Sequence, residues 1–150
     1  MEWLHDAYDL RKDEITERLE EFSRVKDENV FYELCFCLLT PQSNGMRCDE
    51  AVQELIKKDF LNRDFNLIPI LQKKTRFHKN KSKYLKIMKE MYPEISEKLS
   101  NEDDQHKLRE WLVENVKGIG MKEASHFLRN IGYRHLAILD RHILKNLVKC

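Results

Sequence analysis

The sequence has few residues that break helices and no long apolar run. Four glycines and three prolines in 150 residues leave little material for long loops, and no repeat or low-complexity tract is present. No apolar run approaches the roughly eighteen residues that a membrane span needs. The first residues, MEWLHDAYDLRKDE, have neither the apolar core nor the cleavage site of a signal peptide. We therefore expect a cytoplasmic protein without a membrane partner.

Cysteine and histidine also lack the spacings typical of metal sites. The four cysteines (Cys35, Cys37, Cys48 and Cys150) form no CxxC pair, and two of them lie inside the apolar run ELCFCLL. Buried, reduced thiols are expected rather than disulfides or metal ligands. The six histidines form no HExxH motif, so no metal site is predicted. The formal net charge of +1 neither indicates nor excludes a nucleic-acid partner, because the distribution of charge matters more than its total.

The remaining composition favours a mainly helical, soluble protein. Hydrophobic residues make up 41% and charged residues 35%, enough for one domain or for two small helical lobes that share a core. Helical apolar spacing appears first at Ile15, Leu19, Phe22 and Val25. Asn29 is predicted to cap a second helix, VFYELCFCLL, which is apolar nearly all round and therefore central and buried. The turn-rich TPQSNG then forms a loop, and a third helix follows, marked by Ala51, Val52, Leu55 and Ile56.

A strongly basic segment occupies the middle of the chain. From Lys73 to Lys89 there are seven lysines and one arginine but no acidic residue. Its second half has helical apolar spacing, so a loop leading into a basic helix is predicted. Such a helix can contact a polyanion or can simply present a solvated lysine face. Pro93 is expected to end it, and SNEDDQHKLREWLVENV to begin another helix with acidic residues near its positive end.

The stretch NVKGIGMKEASHFLRN reads as two helices joined by a glycine hairpin. Gly118 and Gly120 supply positive φ angles or a close approach of the backbone. The backbone N–H groups of Ile119, Gly120 and Met121 are then expected to point outward at the start of a helix, which suits a phosphate group. The alternative is a plain helix–helix turn.

Two side chains near this hairpin are candidates for chemistry. Lys122 follows the second glycine by two positions and would lie beside any bound phosphate backbone, where a primary amine can act as a nucleophile. Asp140 comes eighteen positions later, between an apolar stretch and a helix, which is typical of an N-cap. A capping carboxylate can also face a cleft, and one helix with a short connection could bring Asp140 opposite Lys122.

The combination of hairpin, lysine and aspartate resembles a known enzyme superfamily. The span VKGIGMKEASHFLRNIGYRHLAILDRHIL, residues 116 to 144, is similar to the helix-hairpin-helix base-excision DNA glycosylases. KEASHFLRN looks most like the archaeal-type 8-oxoguanine DNA glycosylases, the branch without an iron–sulfur cluster. FYELCFCLLTPQ resembles the buried helix and loop of the same superfamily, so the resemblance extends from Phe31 to the C-terminus.

The resemblance implies a covalent mechanism without a metal or organic cofactor. Lys122 would attack C1′ of the damaged nucleotide, displace the base and form a Schiff base with the sugar, and β-elimination would then nick the strand. Asp140 would stabilise the positive charge that develops on the sugar and help activate the lysine.

The resemblance also implies contacts to double-stranded DNA that contains a damaged base. Because a base inside a duplex is out of reach, the nucleotide would be flipped into a pocket between two lobes. In TRFHKNK, Phe77 would fill the gap in the stack and Arg76 would contact the orphaned base, although Phe77 can also be a core residue that begins a helix. Gln42 is predicted to reach the DNA. His142 would touch a phosphate or only close the first turn of its helix.

The expected architecture is an all-α, two-lobed helix-hairpin-helix glycosylase fold. Residues 29–135 would form the central lobe. Residues 1–28 and 136–150 would form a second, smaller lobe. The protein is expected to be a monomer in the cytoplasm, and at the nucleoid in a prokaryote. Family members continue beyond the helix that follows the aspartate, where a C-terminal segment helps to build the 8-oxoguanine pocket. Either the sequence is a fragment or the pocket is completed differently.

Three alternatives differ in function. An enzyme of the endonuclease III type would prefer oxidised pyrimidines, although the four-cysteine cluster of that branch is missing from the sequence. A non-catalytic helix-hairpin-helix module would bind any duplex in a salt-dependent manner and form no covalent product. A helical interaction protein would have no DNA role.

Overall fold

The structure, a computed structural model, describes residues 2–149 as a set of α-helices, and no strand occurs within them. No helix in this range is long and apolar enough to cross a lipid bilayer. The nine helices of the described range are α1 Glu2–Asp9, α2 Lys12–Ser23, α3 Glu28–Leu39, α4 Gly45–Lys57, α5 Ile68–Leu71, α6 His78–Asn101, α7 Gln105–Asn115, α8 Met121–Asn130 and α9 Arg141–Leu147.

Helix α3 lies at the centre of the fold, as its apolar sequence predicts. Seven of its twelve residues are buried: Phe31, Tyr32, Leu34, Cys35, Cys37, Leu38 and Leu39. It packs against α4, α6 and α8, which explains why it is apolar on more than one face. The prediction that Asn29 caps this helix is wrong, because the helix begins at Glu28 and Asp27 occupies the cap position.

Helix α6 continues through Pro93, so the prediction that this proline ends the helix is wrong. Pro93 removes one intrahelical hydrogen bond, which in a helix interior costs about 3 kcal/mol. Beyond it, Ile95 is fully buried and Leu99 packs against the core. Burial of such side chains, worth about 1.5–3 kcal/mol each, outweighs the local cost.

The buried apolar residues lie between Phe31 and Leu136, whereas α2 and α9 contribute none. Helix α2 contacts the core region through α8, and the ring of Phe22 lies under the guanidinium of Arg129 at 5.1 Å. The division into a lobe of residues 29–135 and a second lobe of residues 1–28 and 136–150 stays a prediction.

Three of the four cysteines confirm the prediction of buried, reduced thiols. Cys35, Cys37 and Cys48 are buried and free, and burial raises the pKa of each thiol. These thiols therefore act as small apolar core groups. Cys150 lies outside the described residues.

Candidate active site

One cleft of about 850 Å³ brings together residues that are far apart in the sequence. Its walls come from the loop after α3, the segment before α6, and the first turns of α8 and α9. The residues that line it are Pro41, Gln42, Ser43, Arg76, Lys122, Glu123, Leu139, Asp140, Arg141 and His142. Five residues singled out in the sequence therefore share one cavity: Gln42, Arg76, Lys122, Asp140 and His142.

The glycine hairpin connects α7 to α8, and the ring of Tyr84 leaves no room for a side chain at its first glycine. Gly118 has a φ angle of +94°, and a Cβ atom on it would lie 2.5 Å from Cδ2 of Tyr84. Gly120 has an extended conformation with φ −105° and occupies the N-cap position of α8. Gly118 thus requires the positive φ angle that the sequence predicts, whereas Gly120 does not.

The expectation that three hairpin N–H groups are free is wrong for two of them. The N–H of Ile119 donates to the Val116 carbonyl at 3.2 Å, and the N–H of Gly120 donates to Oε2 of Glu123 at 3.3 Å. Met121 begins α8 and is 49% exposed. The first-turn N–H groups of a helix, those of Met121, Lys122 and Glu123, have no intrahelical acceptor and are the ones that remain for an anion.

Lys122 lies in the first turn of α8 with its amine at the cleft. Its Nζ is 3.6 Å from Oε1 of Glu123, and the Lys122 side chain is about one-third exposed. The sequence reading missed Glu123, although the third helical position after a cap is where a carboxylate returns to the cap N–H. Glu123 therefore holds the start of α8 and supplies an acidic partner to the amine.

Asp140 caps α9 and lines the same cleft as Lys122. Its Oδ1 accepts the N–H of His142 at 2.8 Å and that of Ile143 at 2.9 Å. The bond from Ile143, together with that from His142 and the charges of His142 and Lys122, lowers the pKa of Asp140. Because the carboxylate stays ionised near neutral pH, it can stabilise positive charge in the cleft.

The predicted cap role of Asp140 is thus observed, and His142 closes the first turn of this helix, whereas its contact to a phosphate stays a prediction. Its backbone N–H closes the first turn of α9 on Asp140, while the residue also lines the cleft. The connection from α8 to this point contains the buried Leu136, and the N–H of His135 donates to Oε1 of Gln105 at 3.3 Å. These contacts hold the connection that brings Asp140 to Lys122.

His126, one helical turn after Lys122, was not found from the sequence. Its ring packs edge-on against Phe36, and its Nδ1 is buried without a hydrogen-bond partner among the described residues. Burial, together with the charges of Arg129 and Lys122, lowers the pKa of His126 to about 4. The imidazole is therefore neutral at physiological pH and adds no second positive charge beside the lysine.

Phe77 and Gln42 border a smaller pocket of about 190 Å³ that also includes Gly118. Phe77 is 54% exposed, so its interpretation as a core residue that begins α6 is wrong. Both residues have left-handed backbone conformations, with φ 56° at Phe77 and φ 53° at Gln42. The guanidinium of Arg76 lies 5.6 Å from the Phe77 ring. Strained conformations of this kind in non-glycine residues are concentrated at functional sites.

No cluster of three or more histidine, cysteine, aspartate or glutamate side chains in the described range could hold a metal ion. The chemical groups that the cleft does offer are an amine, two carboxylates, a guanidinium pair and an imidazole. An amine beside an ionised carboxylate in a cleft open to solvent can form a covalent bond to an electrophilic carbon.

The chain matches a sequence model for a family described as 8-oxoguanine DNA glycosylase over residues 15–150. An 8-oxoguanine DNA glycosylase/AP lyase from Fusobacterium nucleatum is 41% identical over 145 residues, covering 89% of this chain and 66% of the relative. Another protein of that name, from Methanocaldococcus jannaschii, is 38% identical over 144 residues, covering 91% and 67%. The chain thus spans about two thirds of the length of these curated relatives.

Solved structures show the same similarity. The crystal structure of the Methanocaldococcus jannaschii 8-oxoguanine DNA glycosylase superposes with a TM-score of 0.87 at 34% identity, covering 99% of this chain and 73% of that one. The structure of the Methanocaldococcus jannaschii glycosylase/lyase in complex with a 15mer DNA containing 8-oxoguanine gives a TM-score of 0.86 at 34% identity. It covers 99% of this chain and 75% of the compared one.

Proposed function

Because this chain belongs to the 8-oxoguanine DNA glycosylase family, we propose that it removes 8-oxoguanine from duplex DNA and then nicks the strand as an AP lyase. The all-α helix-hairpin-helix glycosylase fold expected from the sequence is confirmed by TM-scores of 0.87 and 0.86 to solved members. The observation that carries the functional proposal is the shared cleft of Lys122 and Asp140.

In this proposal the Lys122 amine attacks C1′ of the damaged nucleotide. The C1′–N bond breaks, and the base leaves with the bonding electrons and takes up a proton. The sugar ring opens to an imine on Nζ, which makes the C2′ proton acidic. Loss of that proton and of the 3′ phosphate is the β-elimination that cuts the strand, and water then releases the lysine.

Asp140 supports this reaction by charge. The C1′ carbon becomes positive as the base departs, and a nearby carboxylate stabilises that charge most strongly where water is excluded. Two backbone N–H bonds hold the Asp140 carboxylate in place and favour its ionised form. The group therefore needs no rearrangement when the sugar charge develops.

The DNA contacts are proposed from the positions of the remaining residues. The hairpin of residues 118–121 and the start of α8 would bind backbone phosphate, and such contacts position the duplex without reading its sequence. Phe77 is exposed at the smaller pocket that shares Gln42 with the cleft, and it would enter the gap that the flipped base leaves. Arg76 would contact the orphaned base, and Gln42 and His142 the DNA beside the lesion.

We further propose that the protein acts as a monomer, in the cytoplasm and at the nucleoid in a prokaryote. A single chain supplies both the nucleophile and the charge stabiliser, so the site needs no second subunit. The base would be held between the lobe of residues 29–135 and the smaller lobe of residues 1–28 and 136–150.

Borohydride trapping tests the function directly, because borohydride reduces the imine to a stable protein–DNA adduct. The substrates are duplexes with 8-oxoguanine opposite cytosine, with an oxidised pyrimidine, and with an abasic site. Lys122→Gln is the control variant, and undamaged duplex is the control substrate. We expect an adduct on the 8-oxoguanine and abasic duplexes that depends on Lys122.

The other outcomes separate the alternatives. An adduct on the oxidised-pyrimidine duplex but not on 8-oxoguanine would assign the activity of the endonuclease III type. An adduct on the abasic duplex alone would contradict base removal by this chain and would support its lyase activity only. No adduct on any duplex, with salt-dependent binding to all of them, would indicate a non-catalytic binding module.

A further inference from the structure

Lys81 is a charged side chain in the interior, on the buried face of α6. It is 4% exposed, and it shares this face with Leu85 and Met88, four and seven positions later. Its neighbour Lys83, two positions along the same helix, is exposed. A buried ammonium is tolerated only when oxygen atoms replace the lost water.

Three oxygen atoms surround the Lys81 ammonium. Nζ donates to the carbonyl of Leu39 at 2.6 Å, to the carbonyl of Pro41 at 2.8 Å and to Oγ of Ser43 at 2.8 Å. These three acceptors fill the three donor positions of an ammonium group. All of them belong to the end of α3 and the loop that follows, which carries Gln42.

Ser43 connects this loop to the second segment at the cleft. Its Oγ accepts the backbone N–H of Arg76 at 3.0 Å in addition to the Lys81 bond. It lies within 3.4 Å of the Pro41 carbonyl, to which the hydroxyl donates. The Gln42 loop and the Arg76–Phe77 segment therefore meet at one hydroxyl oxygen.

We propose that Lys81 and Ser43 form a buried clamp that sets the positions of Gln42, Arg76 and Phe77 for recognition of the lesion site. The proposal rests on the function proposed above. Lys81 and Ser43 are positioning residues, since they act through the three residues that would touch DNA.

The backbone conformation on either side of the clamp supports this role. Gln42 and Phe77 both have positive φ angles, which non-glycine residues keep only where surrounding contacts determine them. The clamp bonds the neighbours of both residues, Pro41 and Ser43 on one side and Arg76 on the other. Burial lowers the pKa of Lys81, and the ion–dipole bonds to three oxygen atoms offset that cost.

The test compares equilibrium binding to two duplexes, one undamaged and one with a non-cleavable abasic analogue. Lys81→Met retains the apolar stem and removes the three donors, and Lys83→Met makes the same change at an exposed position of the same helix. We expect Lys81→Met to reduce discrimination between the duplexes by about tenfold, because misplaced contacts lose lesion binding but not phosphate binding. Lys83→Met should retain the discrimination of the parent chain.

Ser43→Ala provides a second variant that leaves the charge of Lys81 in place, so the proposal can be tested even if Lys81→Met does not fold. Its loss of discrimination should be non-additive with that of Gln42→Ala, since one residue acts through the other. A stability loss without a change in discrimination, or full additivity in this double-mutant cycle, would overturn the clamp.

The two proposals fail in different ways. If the parent chain discriminates between the duplexes and both clamp variants lose that discrimination, but the parent forms no borohydride adduct, the catalytic proposal fails while the clamp stands. If the parent forms the adduct and Lys81→Met and Ser43→Ala bind, discriminate and cut as it does, only the clamp fails.

Discussion

Asp140 shows how a single carboxylate can cap a helix and also line a cleft. Both of its backbone hydrogen bonds are made by Oδ1, and Oδ2 has no hydrogen bond within the described residues. One oxygen thus fixes the group at the start of α9, and the residue also lines the cleft. The two roles can be separated by substitution, because asparagine also caps helices but carries no charge.

We expect Asp140→Asn to reduce the single-turnover rate of base removal by about 10²–10³-fold, the usual effect of removing one electrostatic stabiliser. Its urea midpoint should stay near that of the parent, because the cap is retained. Asp140→Ala should reduce the rate by the same factor and should also unfold at a lower urea concentration, because the cap is lost. An Asp140→Asn variant that cuts at the parent rate would show that the charge is not used.

His126 makes stability dependent on pH in a defined window. Its folded pKa of about 4 lies below the ordinary value of 6.5, so between these values the unfolded chain binds a proton that the folded chain does not. Stability is therefore complete above pH 6.5 and falls as the pH decreases toward 4. A pKa shift of this size should lower the free energy of unfolding by about 2 kcal/mol between pH 7 and pH 5.

Replacing His126 with phenylalanine should flatten this part of the curve, because an aromatic ring still packs against Phe36 but cannot take up a proton. Urea unfolding of the parent and the variant at several pH values between 7 and 4 measures the difference. The same substitution at exposed His135 is the control and should keep the pH dependence of the parent. Parallel curves for His126→Phe and the parent would contradict a neutral state of the half-buried His126 imidazole.

Residues that the sequence could reveal differ from those that it could not. Lys122 and Asp140 were found because their spacing from the hairpin resembles a known pattern. Lys81 and His126 take their properties from neighbours distant in sequence, such as Leu39 and Phe36. A lysine within a basic segment gives no local sign that it is buried, apart from its helical register with Leu85.

At the scale of elements, the hairpin between α7 and α8 depends on one glycine much more than on the other. Gly118 combines a φ angle of +94° with a tight contact to the ring of Tyr84. At Gly120 the φ angle is −105°, which any residue can adopt. The nearest atom to an added Cβ there is Oε2 of Glu123 at 3.1 Å, the end of a flexible side chain.

We expect Gly118→Ala to lower the free energy of unfolding by about 2 kcal/mol or more, since it adds backbone strain and a steric clash. Gly120→Ala should cost less than about 1 kcal/mol, a typical loss for an alanine at a cap. Urea denaturation of both variants measures the two values. Equal losses would mean that the hairpin does not need the left-handed conformation at Gly118.

Helix identity was easier to predict than helix boundaries. The apolar pattern predicted α3 as the central helix, because a helix with apolar residues on several faces must be buried on each of them. Local rules failed at Asn29, because the helix cap lies two residues earlier at Asp27, and at Pro93, because the helix continues through the proline. In the second case the burial of Ile95, which local rules do not include, decides the outcome.

Across the whole molecule, positive charge is concentrated in one part of a chain that is otherwise acidic. Eight of the 27 basic residues lie between Lys73 and Lys89, which leaves 19 basic against 26 acidic residues elsewhere. Three of the eight are used inside the fold, because Lys74 pairs with Glu50, Lys89 pairs with Asp64 and Lys81 is buried. The surface available to a polyanion is therefore smaller than the sequence suggests.

Arg47 extends that surface beside the cleft, although it lies outside the basic segment. It lines a pocket of about 390 Å³ with Lys73 and Arg76, and this pocket shares Gln42 and Ser43 with the cleft. Arginine side chains grouped in this way next to a lesion site are suited to DNA phosphates, which dominate affinity and make it dependent on salt. We therefore expect Arg47 to contribute to binding of any duplex.

Arg47→Ala should weaken binding to damaged and undamaged DNA by the same factor and reduce the salt slope by about 1, the signature of one lost phosphate contact. Lys57→Ala is the matched control, because Lys57 lies on the same helix about 15 Å away at 1.5 Å per residue. Fluorescence anisotropy titrations at several salt concentrations measure both slopes. If the two variants lose affinity equally, the effect reflects net charge alone, and the positive surface does not extend from the cleft to the start of α4.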